Sequence, residues 1–480
     1  MRSLLLVLSG VFLFASARAQ DSWSLQRCVE YARDHNIQIK QQELQARLSR
    51  LTLQQSKLSQ IPSLNGSGSY GFNFGRSVDP TSYEFTNTQF NSLNLGLNSN
   101  VTLFNWFQKR NTIEANKYAA YAQDATLKKM VNDISLNVAT AFLQILQAQE
   151  QLKVSEEQVK LTTHQLDNTI KQVDAGALPE SNRADLEAQL ARDSSDLIVA
   201  RNSVTSTILQ MKALLNLDFE TSFVPEVPEN IDNIPVIDLM STGPQQIYEL
   251  ALTNQPQLLA DSFQVQSSRK QLAATKAGLY PSISLYAGLS TNYASTYQRL
   301  VGQQSIVVPP YPIGNVTVND KDYTVNSLES QQLIPVYQKP SFGGQINDNL
   351  NENIGISLNI PLFNGWQTRS AVRRAQIDLE NQQLVREQDQ LQLKQDVYQA
   401  FADAKAALEK FHASQKTLAS SQTAFFYASK RYDLGLINSV DYLTSQNNLY
   451  KAQTDLLSSH YEYIFKSKVL EFYRDLQIQF

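Results

Sequence analysis

The second half of this chain repeats the first. Glu30, Ala32, Gln38, Lys57, Pro62 and Ser63 recur as Glu249, Ala251, Gln257, Lys276, Pro281 and Ser282, all at an offset of 219. Gly96, Asn100, Leu103, Phe104, Asn105, Gln108 and Arg110 recur as Gly355, Asn359, Leu362, Phe363, Asn364, Gln367 and Arg369, at an offset of 259. That second register runs on through Val138/Val397, Phe142/Phe401, Gly176/Gly435, Leu190/Leu449 and Asp196/Asp455. Chance identities do not hold one register for about 100 residues. The offsets differ by 40, which places one 40-residue insertion between Pro281 and Gly355. The chain therefore has to fold as two copies of one plan.

Each copy reads as a helix, two strands, a long helix, a sharp turn and a returning helix. In the first strand Leu64, Gly66, Gly68, Tyr70, Phe72 and Phe74 alternate with Asn65, Ser67, Ser69, Gly71 and Asn73. In the second, Leu93, Leu95, Leu97, Val101 and Leu103 alternate with Asn94, Gly96, Asn98, Asn100 and Thr102. The other half answers with Ile283, Leu285, Ala287 and Leu289, then Ile354, Ile356, Leu358, Ile360 and Leu362. Period-2 alternation over about ten residues, with small polar residues on one face, fits a membrane β-barrel strand that meets lipid on one side and water on the other. It also fits a sandwich strand with a wet outer face. Gly66 to Gly71 matches G-x-G-x-x-G, but a dinucleotide loop follows a strand and opens a helix. Here a helix and Pro62 come before it, so these glycines are strand residues.

The helices carry a seven-residue period. Val131, Val138, Ile145, Leu152, Val159, Leu166 and Val173 form one seam, and Leu190, Leu197, Val204 and Met211 form the returning one. Val397, Ala404, Phe411, Leu418, Phe425 and Tyr432, then Leu449, Leu456, Tyr463 and Leu470, repeat this in the second half. A strict heptad keeps one seam facing a partner only if the helices supercoil left-handedly. Gln, Lys, Glu, Asp, Ser and Ala fill the other positions, so the helices are wet over much of their surface. No Gly or Pro interrupts residues 107–173 or 366–434, and an unbroken helix over the first span is about 100 Å long. Asp174-Ala175-Gly176 and Asp433-Leu434-Gly435 end the two long helices, each with a glycine where the left-handed C′ residue belongs.

Residues 1–19 read as a secretory signal peptide: Arg2, an apolar run from Leu4 to Phe14, and Ala17-Arg18-Ala19 as the cleavage pattern. A single cysteine, Cys28, excludes a disulfide framework and a thiolate zinc site. A net charge of −4 provides no basic stripe for nucleic acid. His35, His164, His412 and His460 stand isolated on polar helical stretches, and no phosphate-binding loop or nucleophile elbow is present. We therefore expect no catalytic, cofactor-binding or metal-ligating set. The conduit implied below has no energy source of its own.

Four membrane strands cannot close, and an open edge in lipid leaves backbone groups unsatisfied. The chain must share a barrel among copies. Two copies give eight strands and a filled interior; three give twelve and a water-filled lumen.

The chain resembles the TolC-like outer-membrane efflux proteins over essentially its whole length. The resemblance rests on the duplicated plan, on Ile61-Pro62-Ser63-Leu64 and Tyr280-Pro281-Ser282-Ile283 entering the strands, and on Leu103-Phe104-Asn105 and Leu362-Phe363-Asn364 leaving them. The segment from Tyr432 to Leu443 is also typical. It implies an α+β membrane protein with helix–strand–strand–helix halves. Each protomer would give four strands to a shared 12-stranded trimeric barrel and helices to a long coiled-coil-like periplasmic tube. On this reading residues 63–103 and 282–362 are barrel, and 20–62, 104–281 and 363–480 are tube. Residues 216–243, with Pro225, Pro228 and Pro235, would form a waist segment, and 294–352 a long extracellular loop. The implied function is a passive outer-membrane channel for small molecules, with the exit duct of a type I protein-secretion system, or a non-conducting surface protein, as alternatives. Implied partners are two further copies, a periplasmic adaptor, an inner-membrane transporter and outer-membrane lipid.

In that family the periplasmic tip closes around an acidic ring. The resemblance carries this to Asp441, six residues after Gly435, and to Asn182 and Asp185 at the matching places after Gly176. Tyr432 keeps the expected tyrosine. Thr444 stands where a second acid is expected and Ile437 where a basic residue is expected, so the usual charged latch is missing its cation. Carboxylates in a helix's first turn also stabilise its N-terminus by about 0.3–1 kcal/mol; dipole and selectivity roles both remain open here.

Overall fold

The computed structural model describes residues 22–78, 84–87, 89–226, 239 and 242–475. The expected signal peptide, residues 1–19, and Pro228 and Pro235 lie outside the described residues. In chain order the first half contains β1 (Ser22–Trp23), α1 (Leu25–His35), α2 (Ile37–Leu58), β2 (Ser63–Asn73), β3 (Arg76–Val78), β4 (Phe85–Asn87), β5 (Phe90–Phe104), α3 (Gln108–Asp174) and α4 (Glu180–Leu215). After β6 (Val224–Pro225) the second half contains α5 (Pro244–Asn254), α6 (Pro256–Ala277), β7 (Ser282–Ala294), β8 (Arg299–Val308), β9 (Pro312–Val318), β10 (Lys321–Asn326), β11 (Ser330–Gln338), α7 (Phe342–Asp348), β12 (Asn351–Asn359), α8 (Gln367–Asp433) and α9 (Ser439–Asp475). The chain divides into two compact units. One is helical (up to Leu53, Glu114–Arg269 and from Gln376 onward); the other is β-rich (Gln54–Ile113 and Lys270–Ala375).

The helical unit contains the same core twice. Cys28, Ala32, Ile39, Ile134, Val138, Ala141, Ile145 and Met211 belong to one buried cluster. Ile247, Ala251, Leu258, Leu393, Val397, Ala400, Ala404 and Leu470 form the other. Every residue of the second stands 219 or 259 places after one of the first, so the sequence repeat is a repeat of burial. Each fully buried aliphatic side chain contributes about 1.5–3 kcal/mol. α3 and α8 each run unbroken for 67 residues. The first core is enlarged by Trp23, which stacks on Phe223 at 5.4 Å and meets the edge of Tyr31 at 5.3 Å. The Cys28 thiol is fully buried, and desolvation pushes its pKa up to about 12.

One contact breaks the repeat. Asp261 on α6, only 9% exposed, faces Asp389 on α8. Gln257 Nε2 donates to Asp261 Oδ1 at 3.0 Å and to Asp389 Oδ2 at 2.9 Å. The matching first-half residues are Gln42 and Met130, so the helix pairing does not require the acids. Burial, then the Asp389 charge, pushes Asp261 up to about 6 from its ordinary 3.8, with Arg386 opposing. The folded state thus holds this proton more tightly than the unfolded chain does. The stability that this carboxyl contributes is fully present below about pH 4 and is lost as pH rises through about 6. Asp261→Asn keeps both hydrogen bonds and carries no charge. At pH 7.5 it should be more stable than the parent by about 1–2 kcal/mol, seen as a higher melting temperature. The two should converge near pH 4, as followed by helical circular dichroism; equal curves at pH 7.5 would reject the assignment.

The β-rich unit centres on a four-stranded antiparallel sheet in the order β12-β7-β5-β2. Register places Leu64 and Gly66 against Ser99 and Leu97, Leu97 against Leu289, and Ile354 and Ile356 against Ala287 and Leu285. One face is therefore apolar, and its side chains are exposed: Leu64 by 73%, Ile354 by 76%. The opposite face runs in rows of short polar residues, such as Asn65, Asn98, Gly288 and Asn353. β2 and β12 form the two sheet edges.

The inserted segment, expected only as a loop, is built from hairpins. β8 pairs with β11, and β9 pairs with β10 across Asn319 and Asp320, both at φ 56°. Two consecutive positive-φ residues in a two-residue connection make the turn that matches strand twist.

Candidate functional site: the paired helical tips

Both long helices end in the same hydrogen-bonded cap. Gly176, at φ 74°, donates its N–H to Val173 O at 2.8 Å, and Ala177 N–H reaches Gln172 O at 2.8 Å. Gly435, at φ 69°, donates to Tyr432 O at 2.9 Å, and Leu436 N–H reaches Arg431 O at 2.8 Å. This is the Schellman arrangement, and a side chain at either glycine would be strained. The chain then turns back into α4 and α9, whose first turns carry Glu180 and Asp441.

A small core joins the two hairpins. Leu166 and Leu186 pack with Tyr432, Tyr442 and Leu443, with Ile170, Leu190, Phe425 and Ile437 around them. Tyr442 lies 4.7 Å from the ring of Tyr432 and 5.6 Å from Phe425. Burial, with Asp433 and Tyr432 beside it, raises the Tyr442 hydroxyl pKa, so the ring stays neutral. The Tyr432 hydroxyl is buried with no hydrogen-bond partner among the described residues. Ile437, standing where a cation was expected, joins the apolar cluster. Apolar packing thus forms one link between the tips.

Asp185 is half-buried and accepts a 2.6 Å hydrogen bond from Ser439 Oγ, which ties α4 to the start of α9. Asp441 is exposed; its backbone N–H donates to Asn438 Oδ1 at 2.8 Å. Asn182 is buried, and its N–H donates to Pro179 O at 3.1 Å. The hairpins thus bring Asp185 and the first turn of α9 together, with Asn182 one helical turn away on α4.

Above the tip lies a polar layer that the apolar heptads did not announce. Asp193, 3% exposed, accepts from Thr162 Oγ1 at 2.6 Å, Gln189 Nε2 at 2.7 Å and Gln158 Nε2 at 3.3 Å. Gln446 Nε2 donates to Thr162 Oγ1 at 3.0 Å, and Gln189 and Asn447 bond each other. One signal was available: Ser155, Thr162 and Thr169 repeat every seventh residue, three places after Leu152, Val159 and Leu166, and all three are buried. Three helices are thereby registered by hydrogen bonds, which demand matched partners where apolar contacts do not.

A duplicated chain with a two-faced open-edged sheet and paired helical hairpins has the organisation of an outer-membrane channel subunit. The chain belongs to the outer membrane efflux protein family, whose model matches residues 29–217 and 247–470. It is 20% identical to the outer membrane protein TolC of Escherichia coli over 97% of this chain and 84% of that protein. It is 21% identical to the alkaline protease secretion protein AprF of Pseudomonas aeruginosa, over 74% of this chain and 64% of that one. Among solved structures, the outer membrane protein VceC of Vibrio cholerae superposes with a TM-score of 0.72 at 13% identity, covering 94% of this chain and 96% of that one. The protein is an outer-membrane export channel of this fold, and the family consists of channels rather than enzymes.

Proposed function

We propose that three copies of this chain close a twelve-stranded barrel and conduct small molecules outward from an inner-membrane transporter, received through a periplasmic adaptor. The observation that carries this reading is the four-stranded sheet with both edges open. All three pairings within it are antiparallel, so β2 and β12 run in opposite directions. β12 of one copy can then pair antiparallel with β2 of the next, and a ring of copies leaves no edge. Three copies supply twelve strands and a wet lumen, which eight would not. The apolar face is turned to lipid and the amide- and hydroxyl-bearing face to the pore. The site residues follow the same symmetry: three Asp185 and three Asp441 gather near one axis at the tip and favour cations.

Purified trimers in planar bilayers test this. The parent channel should conduct and be cation-selective. Asp185→Asn with Asp441→Asn should bring the reversal potential in a salt gradient close to zero and weaken block by divalent cations. Unchanged selectivity rejects the ring; absence of conductance rejects the channel reading.

The similarity to AprF, a protease secretion protein, favours a second reading in which the exported cargo is a polypeptide. Loss of the gene separates the two: drug hypersensitivity supports small-molecule efflux, and loss of a secreted protein with unchanged drug susceptibility supports the other.

A further inference from the structure

On the polar face of the sheet nearly every side chain is short. β2 presents Ser63, Asn65, Ser67, Ser69, Gly71 and Asn73, and β12 presents Asn351, Asn353, Gly355, Ser357 and Asn359. β5 adds Asn94, Gly96, Asn98, Asn100 and Thr102, and β7 adds Ser284, Gly288, Ser290 and Asn292. Phe90 is bulky but buried at its strand end. That leaves Tyr286, 43% exposed, as the one long side chain in the middle of this wall.

Its position is set by the strand beside it. Tyr286 pairs directly with Gly355. A Cβ added at Gly355 would stand 2.5 Å from the tyrosine Oη, 2.6 Å from Cζ and 3.0 Å from Cε1. The ring therefore lies flat across the glycine, in the space a side chain would fill. Glycine in a strand costs order and packing, and it marks a place where another group approaches closely. The duplicated half shows the alternative. Gly355 matches Gly96, and Tyr286 matches Ser67, which pairs with Gly96 and has its Oγ 3.1 Å from a Cβ added there. The same cross-strand pair thus holds a serine in one half and a tyrosine in the other. The sheet folds with either, so packing alone does not call for the ring.

We infer that Gly355 keeps the barrel interior wide at the level of Tyr286, by letting that ring lie flat along the wall where any larger residue at 355 would lift it into the lumen. The inference rests on the trimeric barrel proposed above. Three tyrosines, one per copy, ring the lumen at one level. Any side chain at 355 lifts each ring off the wall, and because its Cα is fixed in the strand the ring can only turn towards the axis or along it. The pair is thereby a size filter whose state is chosen by the absence of one methyl group.

The test uses intact cells carrying the full chain with Ser357→Cys, a polar-face position on the helix side of Tyr286 in the strand register. Cys28 is fully buried and its thiol is held protonated, so it stays silent. Two impermeant thiol reagents are added outside, a small methanethiosulfonate and a polymer-linked maleimide. Both should label the parent. Gly355→Val should slow the bulky reagent several-fold while sparing the small one, and Tyr286→Ala added to it should restore the bulky rate. Tyr286→Ser, which copies Ser67, should change neither rate, because a flat ring does not obstruct. Gly355→Val labelled like the parent overturns the inference; so does faster bulky labelling in Tyr286→Ser, which also decides the matter if the valine variant fails to assemble. If neither reagent reaches Cys at 357 in the parent, the polar face does not line a lumen and the barrel reading itself fails.

Discussion

Proline introduced at Ile356, and separately at Ser357, is expected to abolish the trimer. β12 is an edge of the sheet, held on one side by β7 and open on the other. Successive N–H groups along a strand point to opposite neighbours. One of the two positions therefore donates to β7 and the other to the open side, where β2 of the next copy would accept it in the proposed barrel. Proline has no N–H and is tolerated in a sheet only where none is needed. An edge strand in a soluble protein accepts proline because water replaces the missing partner. Within a bilayer water is absent, and each unsatisfied backbone group costs several kcal/mol. The variant facing the open side should keep its own four strands and still fail to close, so it accumulates as monomer. Leu328→Pro, outside the strands and 89% exposed, should assemble normally. Native mass measurement of detergent-extracted protein reads the outcome. Trimers from both edge variants would show that closure does not run through β12.

The parts that were readable in the sequence are those governed by local rules or by repetition. The two 67-residue helices, the left-handed glycines after them and the two-faced strands each follow from a period or a cap that neighbouring residues alone dictate. The eight-position core written twice was implicit in the offsets of 219 and 259, because matching residues in matching elements are buried alike. What escaped was decided by contacts between distant segments. Asp261 meets Asp389 across 128 positions, and nothing near either residue announces the other. The hairpins of β8 to β11 lie in a segment whose Pro309-Pro310 and polar composition read as loop, and their pairing depends on a turn at Asn319 and Asp320. At the tip, the family pattern pointed to Asp441, Asp185 and Tyr432 as candidates, yet the departure at Ile437 could be read only as a lost cation. Its gain, a place in the apolar cluster, needed the neighbouring helices. The placement of the Tyr286 ring over Gly355 likewise needed the strand register.

The tip core carries the last expectation. Tyr442→Ala removes a ring that is 2% exposed and touches both Tyr432 and Phe425. Replacing a buried aromatic by alanine costs about 3–5 kcal/mol, since transfer and cavity terms add. The cost should fall on the tips and not on the whole unit, because the eight-position cores lie on other residues of α3 and α8 and share no member with this cluster. Local opening then dominates amide exchange. The N–H groups of Gly435 and Leu436, which close one cap, should exchange roughly a hundredfold faster or more. Those of Gly176 and Ala177 should accelerate with them, although they lie in the other hairpin, because Leu166 and Leu186 lose the same partner. Amides near Val138 and Val397 should not change, and Tyr442→Phe, which keeps the ring, should behave like the parent. Acceleration confined to the α8–α9 turn would mean that the tips open separately. A gate at this end would then need a mechanical link other than the Tyr442 apolar core.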